Sequence, residues 1–197
     1  MSLPLRLPYF TPGEYLSLER VSEIRHEYLE GCVYAMAGES PTHSTICFNL
    51  VGVLHPQLRG TPCRGFSPNM KVRAGEAGLY AYPDLSVACG EPIFQDEHGD
   101  VLLNPAVIFE VLSPSTEAYD RGEKFARYRA LETLTDYVLV AQDRPHVEHF
   151  SRRPDGTWMR EEVDGPDATL TLNSINCRLP LADVYERVAF PGRQPGG

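Results

Sequence analysis

At 197 residues, with 42% apolar and 23% charged side chains, the chain has the size and composition of one globular domain and is far from a disordered or fibrous sequence. A formal net charge of −9 excludes a protein whose whole surface grips nucleic acid, although a local basic groove stays open. The five cysteines, Cys32, Cys47, Cys63, Cys89 and Cys177, are odd in number and contain no CxxC pair, so they suggest neither a disulfide framework nor a zinc site.

In chain order, Met1 to Phe10 lacks an apolar stretch of signal-peptide length, and no run reaches the ~18 apolar residues of a membrane span. A soluble cytoplasmic protein with reduced core thiols and no membrane partner is expected. Thr11, Pro12 and Glu14 form the start of a short helix, with Thr11 as cap and Glu14 closing a capping box. His26 to Leu29 and Cys32 to Ala37 read as a β-hairpin turning at Glu30-Gly31, with Glu27 and Leu29 on one face. Ser40 and Pro41 begin a second helix running to about Leu58, whose buried stripe is Ile46, Leu50, Val53 and Leu54. His43 falls in its first turn near that stripe, as a cap, a satisfied core histidine or a contact to something anionic.

Two extended runs follow, Cys63 to Ala74 and Ala81 to Cys89, the second opened by Asp84 directly after Pro83. Gly90 to Asp100 reads as a surface loop. Val107 to Leu112 is apolar on both faces, the pattern of a central strand, yet it carries Glu110. An ionised carboxylate in such a strand must reach water, protonate or meet a cation. The next segment, Thr116 to Leu131, has helical periodicity, and Lys124 lands between Tyr128 and Leu131 on its inward stripe. With Asp120 one turn earlier an ordinary i,i+4 pair is one explanation, and an anionic target is the other. Asp136 to Gln142 then completes a β-α-β unit with a right-handed crossover. His146 to Ser151, Thr157 to Val163 and Thr169 to Leu172 form an antiparallel β-meander at one sheet edge, and Leu181 to Arg187 a closing helix. One domain over residues 1–190 is expected, with 191–197 a disordered tail.

Asp84, Glu110 and Lys124 therefore form an acid, acid and amine set on adjoining core elements. Two converging carboxylates bind a hard divalent cation, which stabilises phosphoryl charge and acidifies a bound water, while a lysine orients that water. This is the minimal kit for metal-assisted phosphodiester hydrolysis.

The same stretches carry a resemblance to the PD-(D/E)XK nuclease superfamily. Within it the chain resembles the putative restriction endonuclease family long filed as a domain of unknown function and common in cyanobacteria. The matching segments are Arg25 to Gly31, Ser40 to His43, Tyr82 to Val87, Phe109 to Thr116, Asp120 to Lys124, and Tyr128, within about Glu14 to Gln142. The Phe109 to Thr116 and Asp120 to Lys124 segments are the most specific. The resemblance implies a restriction-endonuclease-like α/β (or α+β) fold, a central mixed sheet flanked by helices. It makes Asp84 and Glu110 the ligands of Mg²⁺ or Mn²⁺ and Lys124 the catalytic amine. The superfamily's lysine position, two residues after Glu110, is Leu112 here, so the amine has moved to the following helix. Glu27, His43 and Arg121 are implied as accessory acid and phosphate contacts. DNA is the likelier substrate over RNA, and a homodimer the implied assembly.

Two other functions stay open on the sequence. One is a catalytically silent scaffold that keeps the fold, since family membership specifies a fold better than an activity. The other is a hydrolase of small phosphoesters, which a pocket without a basic rim would favour.

Overall fold

The computed structural model describes residues 9–76 and 78–190, so the expected tail at 191–197 lies outside them. The first elements form where their local chemistry directs. Helix α1 (Pro12–Glu19) carries the complete capping box, the Thr11 hydroxyl accepting from the Glu14 N–H while the Glu14 carboxylate accepts from the Thr11 N–H. Strands β1 (His26–Leu29) and β2 (Cys32–Ala35) turn through Glu30 and Gly31, both at positive φ (46° and 94°). A two-residue hairpin loop of that hand suits glycine, and any Cβ at Gly31 would collide with the Tyr9 ring. Helix α2 (Pro41–Leu58) starts at Ser40, whose hydroxyl accepts from the His43 N–H, and buries Ile46, Leu50, Leu54 and Leu58.

The two extended runs expected next are each broken, and their halves belong to different sheets. The first divides into β3 (Cys63–Phe66) and β4 (Lys71–Ala74), the second into β5 (Leu79–Ala81) and β6 (Leu85–Cys89). Pro68 and Pro83 lie in the breaks. A proline has no N–H to give a ladder and fixes φ, so the chain leaves one sheet and enters the other there. The sequence also hid a covalent link. Cys63 and Cys89 are directly opposed partners in the antiparallel β3–β6 pair and form a disulfide, which corrects the expectation that all five thiols are free. Cys32, Cys47 and Cys177 carry free thiols.

Strand β7 (Val101–Leu102) pairs with β4, and β8 (Val107–Val111) is buried at every position. The expected crossover helix is three pieces: α3 (Glu117–Tyr119), a π-helical turn (Asp120–Lys124) and α4 (Phe125–Tyr128). It delivers the chain to β9 (Asp136–Val140), parallel to β8. Strands β10 (His146–Arg152) and β11 (Trp158–Asp164) continue antiparallel from β9 as an edge meander. The expected third meander strand, β12 (Thr169–Leu172), instead pairs with a strand the periodicity missed, β13 (Cys177–Pro180), ahead of the short α5 (Leu181–Val184).

The result is a mixed six-stranded sheet, β11-β10-β9-β8-β6-β3, and a five-stranded sheet, β2-β1-β5-β4-β7. Alternation along β8 builds the core. Val107, Phe109 and Val111 pack with α2, α5 and the β12–β13 pair, while Ile108 and Leu112 pack with β4, β5 and Tyr128. Each such large apolar side chain contributes about 1.5–3 kcal/mol on burial. Glu110 shares the face of Ile108 and Leu112, toward the five-stranded sheet.

Candidate active site

Asp84 stands where the chain passes from β5 to β6, Glu110 near the end of β8, and Lys124 at the end of the π-helical turn. They converge in a cavity of about 850 Å³ that also exposes Glu27 from β1, His43 from the first turn of α2, and Asp120. The site therefore draws on both sheets and two helical segments, which is why no single motif spells it out.

Lys124 and Glu110 are each 4% exposed. The Lys124 Nζ lies 2.9 Å from Glu110 Oε1, 3.2 Å from Glu27 Oε1 and 3.5 Å from Asp120 Oδ1. Both explanations of Lys124 thus hold together: it makes the i,i+4 contact with Asp120 and it also meets the buried acid. Asp84 Oδ2 accepts from the Val111 N–H at 2.7 Å and lies 3.2 Å from His43 Nε2. Glu27 Oε1 additionally accepts from the Tyr82 N–H at 3.3 Å.

Charge is not balanced here. Asp84, Glu110, Glu27 and Asp120 face one ammonium and one imidazole. Burial pushes the Glu110 carboxyl well above its usual range, with Lys124 opposing and Asp120, Asp84 and Glu27 adding to the rise. Asp120 is raised as well, by burial above all. Burial works against a charged Lys124, yet Glu110 and Glu27 outweigh it and hold the ammonium well above its usual pKa. Burial likewise opposes charge on His43, and the hydrogen bond to Asp84 with the adjacent Cys47 lifts that ring to about 11.

Glu110 Oε1 is buried without a hydrogen-bond partner, although it touches the Lys124 ammonium. The contact is an ion pair whose geometry is not that of a hydrogen bond. An excess of carboxylate oxygens around an unsatisfied buried one is the donor set a hard divalent cation takes. The residues present fit such an ion.

Asp120 is the member that sequence reasoning missed. Its signal was available, because Asp120, Lys124 and Tyr128 recur every fourth residue along the inward stripe. The π-helical turn left no such trace, though these turns are frequent at functional sites. Arg121, expected to contact phosphate, does not line the cavity. It donates to Glu148 Oε1 at 2.7 Å and Glu117 Oε2 at 2.6 Å. Other cations that could have formed a local basic groove are also engaged or elsewhere. Arg127 pairs with Glu30 and Glu123, Lys71 with Asp100, and Arg59 and Arg64 line a separate cavity of about 380 Å³.

The family model Uma2, described as "Putative restriction endonuclease", matches residues 12–182. The chain belongs to the Uma2 family. Two relatives come from Synechocystis sp. Protein slr1290 is 35% identical over 93% of this chain and 95% of its own length, and sll1609 is 32% identical over 81% and 90%. A crystal structure of "a putative nuclease belonging to DUF820" from Anabaena variabilis superposes with a TM-score of 0.75 at 22% identity, covering 91% of this chain and 99% of that one. This Uma2 chain thus has the fold of a nuclease-like structure, a mixed α/β architecture with sheets flanked by helices. Among its described residues no helix is long and apolar enough to cross a membrane.

Proposed function

We propose that this Uma2 protein is a divalent-metal-dependent endonuclease that hydrolyses phosphodiester bonds, with DNA as substrate and Mg²⁺ or Mn²⁺ as cofactor. The observation that carries the reading is the buried excess of acid around Glu110 and Lys124. Such an excess is costly unless a cation completes it.

Asp84 and Glu110 would hold the ion, which when bound supplies charge stabilisation on the phosphoryl group and an acidified water. The chain's own residues do the rest. The Val111 N–H and His43 fix Asp84 through Oδ2, leaving its other oxygen for the ion. Lys124, steadied by Glu27 and Asp120, stays protonated and orients the attacking water or neutralises the developing charge. A homodimer would bring two such sites to two strands.

A second reading has a specific observation behind it. Among the described residues, the only cationic or imidazole side chains lining the cavity are Arg25, His43 and Lys124, beside acids that include Glu39 and Glu123. A pocket so short of basic rim suits a small phosphoester as well as a polymer.

Calorimetric titration of Mg²⁺ and Mn²⁺ into the wild type and into Asp84→Asn, Glu110→Gln protein tests the site. Supercoiled plasmid, single-stranded DNA and a small phosphodiester are assayed on the same samples. Metal binding and DNA cleavage lost together in the variant, the latter by about 10²–10³-fold, support the nuclease. Turnover of the small ester alone supports the second reading. A folded wild type that binds no metal with or without DNA overturns both and leaves a scaffold.

A further inference from the structure

Outside the acid cluster, α2 presents a different set of ligand atoms. Glu39, His43 and Cys47 each offer one, all within 4.8 Å of one another. His43 Nδ1 is 3.0 Å from Glu39 Oε2 and 3.5 Å from Cys47 Sγ. Ligands bound at about 2.0–2.3 Å and tetrahedral angles around zinc stand about 3.4–3.6 Å apart, so these atoms already lie near the edges of such a shell. The types are those of a borderline-soft ion: one thiolate, one imidazole nitrogen, one carboxylate oxygen, with a fourth position left for water.

The other face of the imidazole supplies an independent observation. His43 Nε2 lies 3.2 Å from Asp84 Oδ2. A metal-ligating histidine almost always gives its second ring N–H to a carboxylate, a backbone carbonyl or water, which fixes its tautomer and leaves the other nitrogen as ligand. Here that donation points Nδ1 at Glu39 and Cys47, where a bound ion would displace the proton this nitrogen carries in the metal-free protein. The site lies at the first turns of α2, whose macrodipole disfavours a cation by the equivalent of about half a charge. The two anionic ligands outweigh it. Composition gave no hint of the site, because it contains one cysteine and its acid lies before the helix begins.

We propose that Glu39, His43 and Cys47 form a second metal site, specific for Zn²⁺ or a similar transition ion and distinct from the all-oxygen site at Asp84 and Glu110. The ion ties the segment before α2, which borders the large cavity, to the helix, and holds His43 against Asp84. The proposal shares His43 with the nuclease reading, where its other ring nitrogen steadies Asp84, but its ligand atoms and its preferred ion are different.

Co²⁺ alone is the probe. Titrated into the wild-type protein, it produces a near-ultraviolet sulfur-to-cobalt charge-transfer band that saturates at one equivalent and disappears when Zn²⁺ is added. The near-isosteric Cys47→Ser variant loses the band, and Glu110→Gln keeps it. A wild type without the band, a band that survives in Cys47→Ser, or one that Glu110→Gln abolishes would overturn the proposal. A second measurement needs no variant. Saturating Zn²⁺ slows alkylation of Cys47, followed by peptide mass spectrometry, by at least about tenfold, because the coordinated thiolate is no longer free to attack. An unchanged rate overturns the assignment equally.

Discussion

The ammonium of Lys124 lies 2.9 Å from Glu110 Oε1, and both groups are buried between the two sheets. Removing one partner of such a pair leaves an uncompensated buried charge, here with Glu27 and Asp120 also deprived of their cation. Lys124→Ala is expected to destabilise the fold by about 3–5 kcal/mol. For a chain of this size that is a fall in Tm of roughly 6–20 °C. Differential scanning calorimetry measures it, and a change within a degree would show that Lys124 is not the counter-charge.

Divalent ions act in the opposite direction. An ion that binds the folded state alone stabilises it by about 2.7 kcal/mol at a hundred times its Kd. Mg²⁺ or Mn²⁺ is therefore expected to raise Tm by roughly 5–10 °C in the wild type and by nothing in Glu110→Gln. A thermal shift series in each metal, with a chelator control, reads the difference.

Arg121 distinguishes architecture from chemistry. Its guanidinium neutralises Glu148, which is buried on β10 and shared with Arg160. Arg121→Ala is expected to cost about 1–3 kcal/mol of stability, the cost of an under-satisfied buried acid. Cleavage by the folded fraction is expected to stay within about twofold of wild type. A selective loss of kcat would return Arg121 to the site.

Gly122 sits in the π-helical turn with open space where a Cβ would be and without a positive φ. Gly122→Ala is expected to stabilise by about 0.4–1 kcal/mol, by restricting the unfolded chain, and to leave metal binding unchanged. Chemical denaturation and the titration described above check both halves.

His149 sets a pH dependence remote from the cavity. Its ring is buried with Nε2 2.6 Å from Asp136 Oδ1 and Nδ1 2.7 Å from Glu161 Oε1. Burial opposes its charge, but Asp136 and Glu161 raise its pKa above 6.5. Burial also opposes charge on Asp136, which the hydrogen bonds from His149, Ser174 and Thr135 nonetheless lower below 3.8. The His149 contribution is complete below pH 6.5 and is lost as pH rises through the raised value. That of Asp136 is complete above 3.8 and is lost as pH falls through the lowered one. As pH rises above 6.5, wild-type Tm is therefore expected to fall more steeply than that of His149→Gln. Parallel slopes would remove the pair from the account.

The parts of this molecule that sequence reveals are those set by local rules. The Thr11 capping box, the Glu30-Gly31 turn, the Ser40 cap and the two-faced apolar strand around Glu110 each follow from residues within one turn or strand. Glu110 and Lys124 were legible because each violates its surroundings, an acid or an amine where apolar periodicity calls for something else, and Asp84 because it opens a strand directly after Pro83 in a segment that carries the family resemblance. Other features depended on register between distant segments. The disulfide requires Cys63 opposite Cys89, the placement of Arg121 requires Glu148 from a later strand, and β13 pairs with a β12 that lies outside the meander. Periodicity averages over a window and cannot report an extra residue per turn, so the π-helical turn escaped it, whereas the inward aim of Asp120 follows from its four-residue spacing to Lys124 and Tyr128.

The position of Lys124 has a mechanical side. Glu27 belongs to the five-stranded sheet and Glu110 to the six-stranded one, and the same ammonium touches both, beside the Tyr82-Pro83 link where the chain steps between them. One side chain thus works as a rivet through two plates, set next to one of the covalent links between them. With an ion held at Glu110, that rivet would share its load with a new fastener. The freedom of one plate to rock against the other then becomes a property of the loaded site, and the backbone amides of β1 would report it as altered hydrogen exchange.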